Sequence, residues 1–230
     1  MKVAQVHDRI SIAGRCVFLF AVGLLAQVGC SATRLSLADG PREYVASDYS
    51  EVLKRWTRSH SLIALSELDD LLTTSATYES WDFRWAYVVR YSRDFLLTVD
   101  QRRTLLDNTL RDARDVHEFY VAVAGQTRRW ADLARPSSAW VVRLVDDQGD
   151  ETAPLAIEPI LKPSAIDRAY FPYSSVWRQS FRIRFARETP NGIPTISPKA
   201  RWFGLRFAGA QGNDELRWDI EPGTAVAALK

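Results

Sequence analysis

The sequence predicts an α+β fold: an antiparallel Ig-like β-sandwich with an inserted helical pair, behind an N-terminal signal peptide and a short tether. Three observations predict it. Apolar and polar residues alternate at 181–185, 203–207 and 216–220, the period of strands with one buried and one wet face. Gly, Pro and Asn separate such segments, as the turns of a sandwich require. Residues 80–114 instead carry helical spacing, so the helices form one block between strands.

The chain opens on a polar stretch holding Lys2, Arg9 and Arg15, followed by an almost wholly apolar run over 16–28 and then Gly29-Cys30-Ser31. Charged region, apolar region and small residues at a cut are the order of a secretory signal. Thirteen helical residues span about 20 Å, short of the ~30 Å hydrocarbon core, which disfavours a permanent span. Residues 1–29 are therefore expected to be the signal peptide. Residues 31–47, small and polar with Gly40-Pro41, read together with Cys30 as a flexible tether over 30–47. One α+β domain is expected over 48–222, helical at 80–114 and mainly β from 115, with a tail at 223–230.

Within the domain, Asp48 with Glu51 reads as a capping box opening a short helix whose apolar side is Val52, Leu53 and Trp56. Residues 71–78 are rich in β-branched side chains and read as extended. Trp81, Trp85, Val88 and Phe95 form one stripe of a helix over 80–96, with Asp82, Arg93 and Asp94 elsewhere. Thr98 and Gln101 form a second capping box, opening a helix to about Arg114 along Leu105, Leu106, Thr109, Leu110 and Ala113. Phe119, Val121 and Val123 then alternate, as do Trp140, Val142 and Leu144. Residues 146–151 read as a hairpin turn, continued by Leu155, Ile157 and Ile160, with Pro154 and Pro159 marking an edge.

Composition narrows the function. Beyond residue 29 the chain holds 27 basic and 27 acidic side chains, and a neutral domain lacks the positive field that nucleic-acid binding requires. Cys16 lies in the export segment and Cys30 at the cut, so neither an internal disulfide nor a cysteine zinc site is expected. His117-Glu118 lacks the second histidine of a zincin helix, and no nucleophile elbow, phosphate loop or dinucleotide fingerprint is present. No cofactor and no catalytic residue is expected. Asp146, Asp147, Asp150 and Glu151 with Gly149 form an acidic turn that could wrap calcium or serve only as a polar turn. Arg178, Arg182, Arg184, Arg206 and Arg217 all fall on the outward side of predicted strands. They form a candidate surface for an anionic partner, since the planar guanidinium pairs bidentately with carboxylate and phosphate. The alternative is cross-strand pairing with Glu215, Asp219 and Glu188. Eight tryptophans divide between core positions such as Trp85 and Trp218 and strand ends such as Trp130, Trp177 and Trp202.

The segment ending Gln27-Val28-Gly29-Cys30 resembles the lipobox of bacterial lipoproteins, which closes on Gly or Ala before an invariant Cys; Gln27 stands where the family usually has Leu. The resemblance implies cleavage before Cys30, lipid on its thiol and new amino group, and, with Ser31 next, sorting to the outer membrane facing the periplasm. More than one acyl chain gives stable anchoring. The expected partners are the membrane and an envelope protein or cell-wall component, with no nucleic acid. The expected role is a non-enzymatic binding or assembly module. A lipid-anchored hydrolase with an acid pair assembled in three dimensions, or a small-ligand or calcium module, is the alternative.

Overall fold

A computed structural model describes residues 34–64 and 69–224. The signal peptide, Cys30 and residues 225–230 of the tail lie outside the described residues. Among the described residues nine strands follow in the order β1 (Thr57–Ala64), β2 (Asp69–Tyr78), β3 (Val116–Gly125), β4 (Trp140–Asp146), β5 (Glu151–Thr152), β6 (Ala156–Ile160), β7 (Gln179–Ala186), β8 (Trp202–Gly209) and β9 (Gly212–Asp219), with four α-helices. Helix α1 (Tyr49–Trp56) precedes β1, α2 (Trp81–Asp94) and α3 (Val99–Asp115) lie between β2 and β3, and α4 (Ala165–Tyr170) follows β6.

The strands form two antiparallel sheets, ordered β1-β2-β3-β7-β6 and β5-β4-β8-β9. The predicted alternation sets the register. Phe119, Val121, Phe181, Ile183 and Phe185 face Phe203, Leu205, Phe207, Leu216 and Trp218 across one core in which all ten are buried. Phe119 meets Trp218 at 5.6 Å and Phe185 at 5.8 Å between ring centroids. The fold is thus the expected sandwich with inserted helices. Its open side between β1 and β9 is closed by polar bonds: Arg58 Nε donates to Arg217 O at 2.8 Å, and His60 Nδ1 lies 2.5 Å from Asp214 Oδ1.

Four local expectations are corrected. Residues 34–47 belong to the domain and are no tether: Leu35 and Leu37 are buried, Leu35 bridges Ile220, and Arg42 bonds Asp82. Their apolar side chains find a slot at the end of the sandwich, which outweighs local polarity. Asp48 does not cap α1; its carboxylate accepts from Val45 N at 2.9 Å across a preceding 3-10 turn. The chain after the Asp146 turn does not prolong one hairpin. It gives two residues to β5, then crosses to the other sheet, where β6 with Pro159 is an edge as predicted. Gly149 makes that turn at a φ of +93°, a left-handed conformation that suits glycine. Asp82 is buried rather than turned to water, accepting from Trp56 Nε1 at 2.9 Å and Tyr44 Oη at 2.6 Å.

The helical pair forms where its apolar spacing and the Thr98 box foretell, and the structure adds a Ser80 cap. Ser80 Oγ accepts from Phe83 N, and Thr98 and Gln101 make the reciprocal box. Trp81, Leu110 and Ala113 pack between the two helices, with Trp85 and Leu106 half-buried beside them. Helix α2 ends in a Schellman turn, with Leu97 N bonding Ser92 O and Leu96 N bonding Arg93 O. The left-handed position, usually glycine, holds Leu96 at a φ of +51° with its side chain 88% exposed. Leu96→Gly is expected to stabilise the protein by about 0.5–1 kcal/mol, because the left-handed cost of a Cβ exceeds the entropy a glycine adds to the unfolded chain. Chemical denaturation checks this, and a loss of stability would mean that the leucine is held by contacts stronger than its backbone strain.

Candidate functional site

The outer face of the five-stranded sheet is largely covered, with Arg182 and Arg184 at the margin of the cover. Helices α2 and α3 and the segment after α4 cover it, and Tyr120 on that face stacks on Phe171 at 3.9 Å. Between helices and sheet lies a cavity of about 190 Å³ lined by Glu79, Phe83, Arg84, Tyr87, Thr109, Asp112, Glu118, Phe171, Arg182 and Arg184.

Each charged member arrives by a local rule. Glu79 sits at the corner where β2 ends, its amide bonded to Glu118 O at 2.9 Å, immediately before the Ser80 cap. Glu118 points outward because Phe119 points inward, and Arg182 and Arg184 do so because Phe181, Ile183 and Phe185 fill the core. Register then sets Glu118 opposite Arg184 and Tyr120 opposite Arg182. Arg84 lies one turn into α2 and is almost fully buried. It donates to Glu79 O at 2.9 Å, Thr109 O at 3.0 Å, Thr109 Oγ1 at 2.9 Å and Glu118 Oε2 at 2.7 Å, so one guanidinium joins α2, α3 and the sheet. Its Nη2 also lies 3.5 Å from Glu79 Oε2. Glu118 Oε1 is 3.1 Å from Arg182 Nε and 3.4 Å from Arg184 Nε, and Arg184 Nη1 reaches Glu158 at 3.2 Å.

Two side chains here hold protons more tightly than usual. Burial first, and then repulsion by Glu118, raise Glu79 against the pull of Arg84, Arg182 and Arg184. Burial pushes the Tyr87 phenol up to about 12, with Glu79 and Tyr91 adding to it. The site therefore combines a carboxyl driven toward its neutral form, a carboxylate gripped by three guanidiniums, and aromatic walls.

The five arginines singled out in the sequence do not form one row. Arg182 and Arg184 belong to this cavity, and Arg178 precedes the same strand and bonds Ser75 Oγ at 2.8 Å. Arg206 and Arg217 lie on the opposite sheet, where Arg206 pairs with Glu215 at 3.0 Å and with Glu151, and Arg217 pairs with Glu215. Alternation says that a side chain points outward but not from which sheet. On the β8–β9 face Arg206 pairs across strands with Glu215, and Arg217 pairs with the same Glu215 along its own strand.

The acidic turn is also dispersed. Asp146 Oδ1 accepts from Gln148 N at 2.9 Å and Asp150 N at 3.3 Å, and Oδ2 from Ser197 N at 2.8 Å. Asp147 pairs with Arg201, and Glu151 with Arg206. Among the described residues no group of three or more potential metal ligands converges. The oxygens a calcium ion would need serve the turn and two arginines instead.

His117 is buried on β3, its Nδ1 2.8 Å from Tyr78 Oη. Burial foremost, with Arg187 adding repulsion, pushes the imidazole well below its ordinary value. The unfolded chain, titrating near 6.5, then takes the proton first. This contribution is complete above about pH 6.5 and is lost as pH falls toward the folded value. The difference in unfolding free energy between the wild type and His117→Asn is expected to change from pH 7 to 4 with a slope approaching about 1.4 kcal/mol per unit. Parallel curves would remove His117 as the source.

The chain matches no protein-family model and no curated protein. It is similar to a solved structure of a novel protein of unknown function from Burkholderia pseudomallei K96243. The two are 12% identical over 80% of this chain and 86% of the other, with a TM-score of 0.41.

Proposed function

We propose that the protein is an exported envelope lipoprotein, anchored through Cys30, whose domain is a non-enzymatic binding module seated on the cavity between α2, α3 and the five-stranded sheet. The observation that carries the binding reading is the set of mutually fixed charges around that cavity. Both Glu118 oxygens face guanidiniums, and Arg84 of α2 spends its donors on Glu79 O, on Thr109 of α3 and on Glu118 of the sheet. Groups held in this way form a preorganised recognition surface, which lowers the cost of binding. Only four residues separate Cys30 from Leu35, which belongs to the domain. A lipid on Cys30 would therefore hold the domain close to the bilayer instead of lifting it away on a long tether.

Photocrosslinking in cells from a benzoylphenylalanine placed at Asp112, on the cavity wall, tests the seat. A discrete adduct that disappears in Arg182→Met supports it, and an adduct indifferent to that change opposes it. The mass of the mature N-terminal peptide tests the anchor: triacylated Cys30 is expected, and an unmodified soluble N-terminus would overturn it. A second reading, a hydrolase of an envelope polymer, is favoured by the pairing of proton-holding Glu79 with Glu118 across Arg84 Nη2. Release of soluble fragments from purified envelope polymer, abolished in Glu79→Gln, would replace the first reading with this one.

A further inference from the structure

Arg182 is the cavity arginine whose fork is unspent. Arg84 is fully engaged, and Arg184 divides itself between Glu118 and Glu158. Arg182 Nε is near Glu118 Oε1 but off the line of a hydrogen bond, and it has no hydrogen-bond partner among the described residues. Glu79 Oε1 is likewise buried without a hydrogen-bond partner among them. These unsatisfied atoms mark Arg182 and Glu79 as the two cavity side chains whose hydrogen-bonding capacity the fold leaves partly unspent.

The chemistry of that ligand follows from which groups are free. A cation would need an unengaged carboxylate, and Glu118 is already surrounded by guanidiniums. A phosphate brings a charge approaching two, against one guanidinium whose terminal nitrogens are free but whose charge already faces Glu118, and with Glu118 and Asp112 in the same wall. A carboxylate brings one charge and the planar, two-oxygen geometry that a guanidinium fork matches. Phe83, Tyr87 and Phe171 offer apolar surface for the rest of the molecule. The cavity volume of about 190 Å³ corresponds to about six waters at ~30 Å³ each, room for a single ring.

Resting on the reading of the cavity as the binding seat, we propose that it takes a small organic carboxylate, its oxygens on the Arg182 fork and the Glu79 carboxyl, and its apolar body against Tyr87 and Phe171. Glu79 is the pH-sensitive partner. Its proton is held more tightly in the folded protein, so it donates to the bound carboxylate at low pH and repels it once ionised.

Calorimetric titration of the full chain in detergent with benzoate, and with benzamide as its neutral counterpart, tests this. Benzoate is expected to bind at least tenfold more tightly than benzamide, and more weakly at pH 8 than at pH 5. Arg182→Met is expected to lower benzoate affinity at least tenfold. Glu79→Gln should retain benzoate binding and remove its pH dependence, and this variant decides the matter if Arg182→Met does not fold. Equal affinity for the two probes, or unchanged benzoate binding in Arg182→Met, would overturn the proposal. Benzamide binding without benzoate binding removes the carboxylate and leaves the seat. Failure of both probes, together with no crosslink from Asp112, removes the seat as well.

Discussion

Replacing Arg84 by methionine is expected to destabilise the protein by about 3–5 kcal/mol, the cost of breaking a buried ion pair from one side. Arg84 is 4% exposed. Its removal leaves Glu118 with only the two partly exposed arginines Arg182 and Arg184. It also leaves Thr109 O without the arginine and Glu79 without its strongest opposing charge. With a urea dependence of about 2 kcal/mol per molar, the midpoint should fall by about 2 M. The loss should be local in origin, so amide exchange in α2 and α3 is expected to accelerate before that of β8 and β9. A loss under about 1 kcal/mol would mean that the methionine packs well enough to offset the missing pair, and that the network serves binding more than stability.

Trp218→Ala is expected to cost a similar amount, about 3–5 kcal/mol, by a different route. The indole is fully buried, lies parallel to Phe203 at 5.4 Å and donates Nε1 to Trp56 O at 2.9 Å. Its truncation opens a cavity between the sheets and strands a buried carbonyl. Trp177, 86% exposed, provides the contrast: Trp177→Ala should change stability by less than about 0.5 kcal/mol. Because Trp218 lies on the far side of the five-stranded sheet from the cavity, ligand affinity of folded Trp218→Ala should match the wild type. Thermal and urea unfolding of the two variants side by side would expose a disagreement.

The candidate site was partly legible. Glu118 stood out only beside His117, as an incomplete metal motif, and Arg182 and Arg184 only as outward-pointing cations. A stronger signal was present in the same strand. Phe119 to Ala124 is an unbroken apolar run, and a strand apolar on both faces is covered on both faces. That run announces that the outward side of β3, and with it Glu118, lies beneath other elements. Glu79 and Arg84 carried no such signal, since a glutamate before a helix cap and an arginine in its first turn are ordinary surface choices. His60 gave none either. It looks like a surface imidazole and is one, but its partner Asp214 lies 154 positions away and is buried.

The sequence by itself determined the elements: helices α2 and α3 with the Thr98 capping box, the inward faces of β3, β7, β8 and β9, and the edge character of β6. These follow from interactions within a few residues and from a side-chain period that the local backbone enforces. Only the tertiary structure decided which sheet each strand joined, that Leu35 and Leu37 enter the core, and that helices bury the outer face of one sheet and leave the other wet. It thereby separated one apparent row of arginines into a partly covered cavity and a set of surface ion pairs around Glu215. The reason is physical: alternation gives a side chain a direction relative to its own strand, whereas the solvent or charge it meets there is supplied by segments remote in the chain.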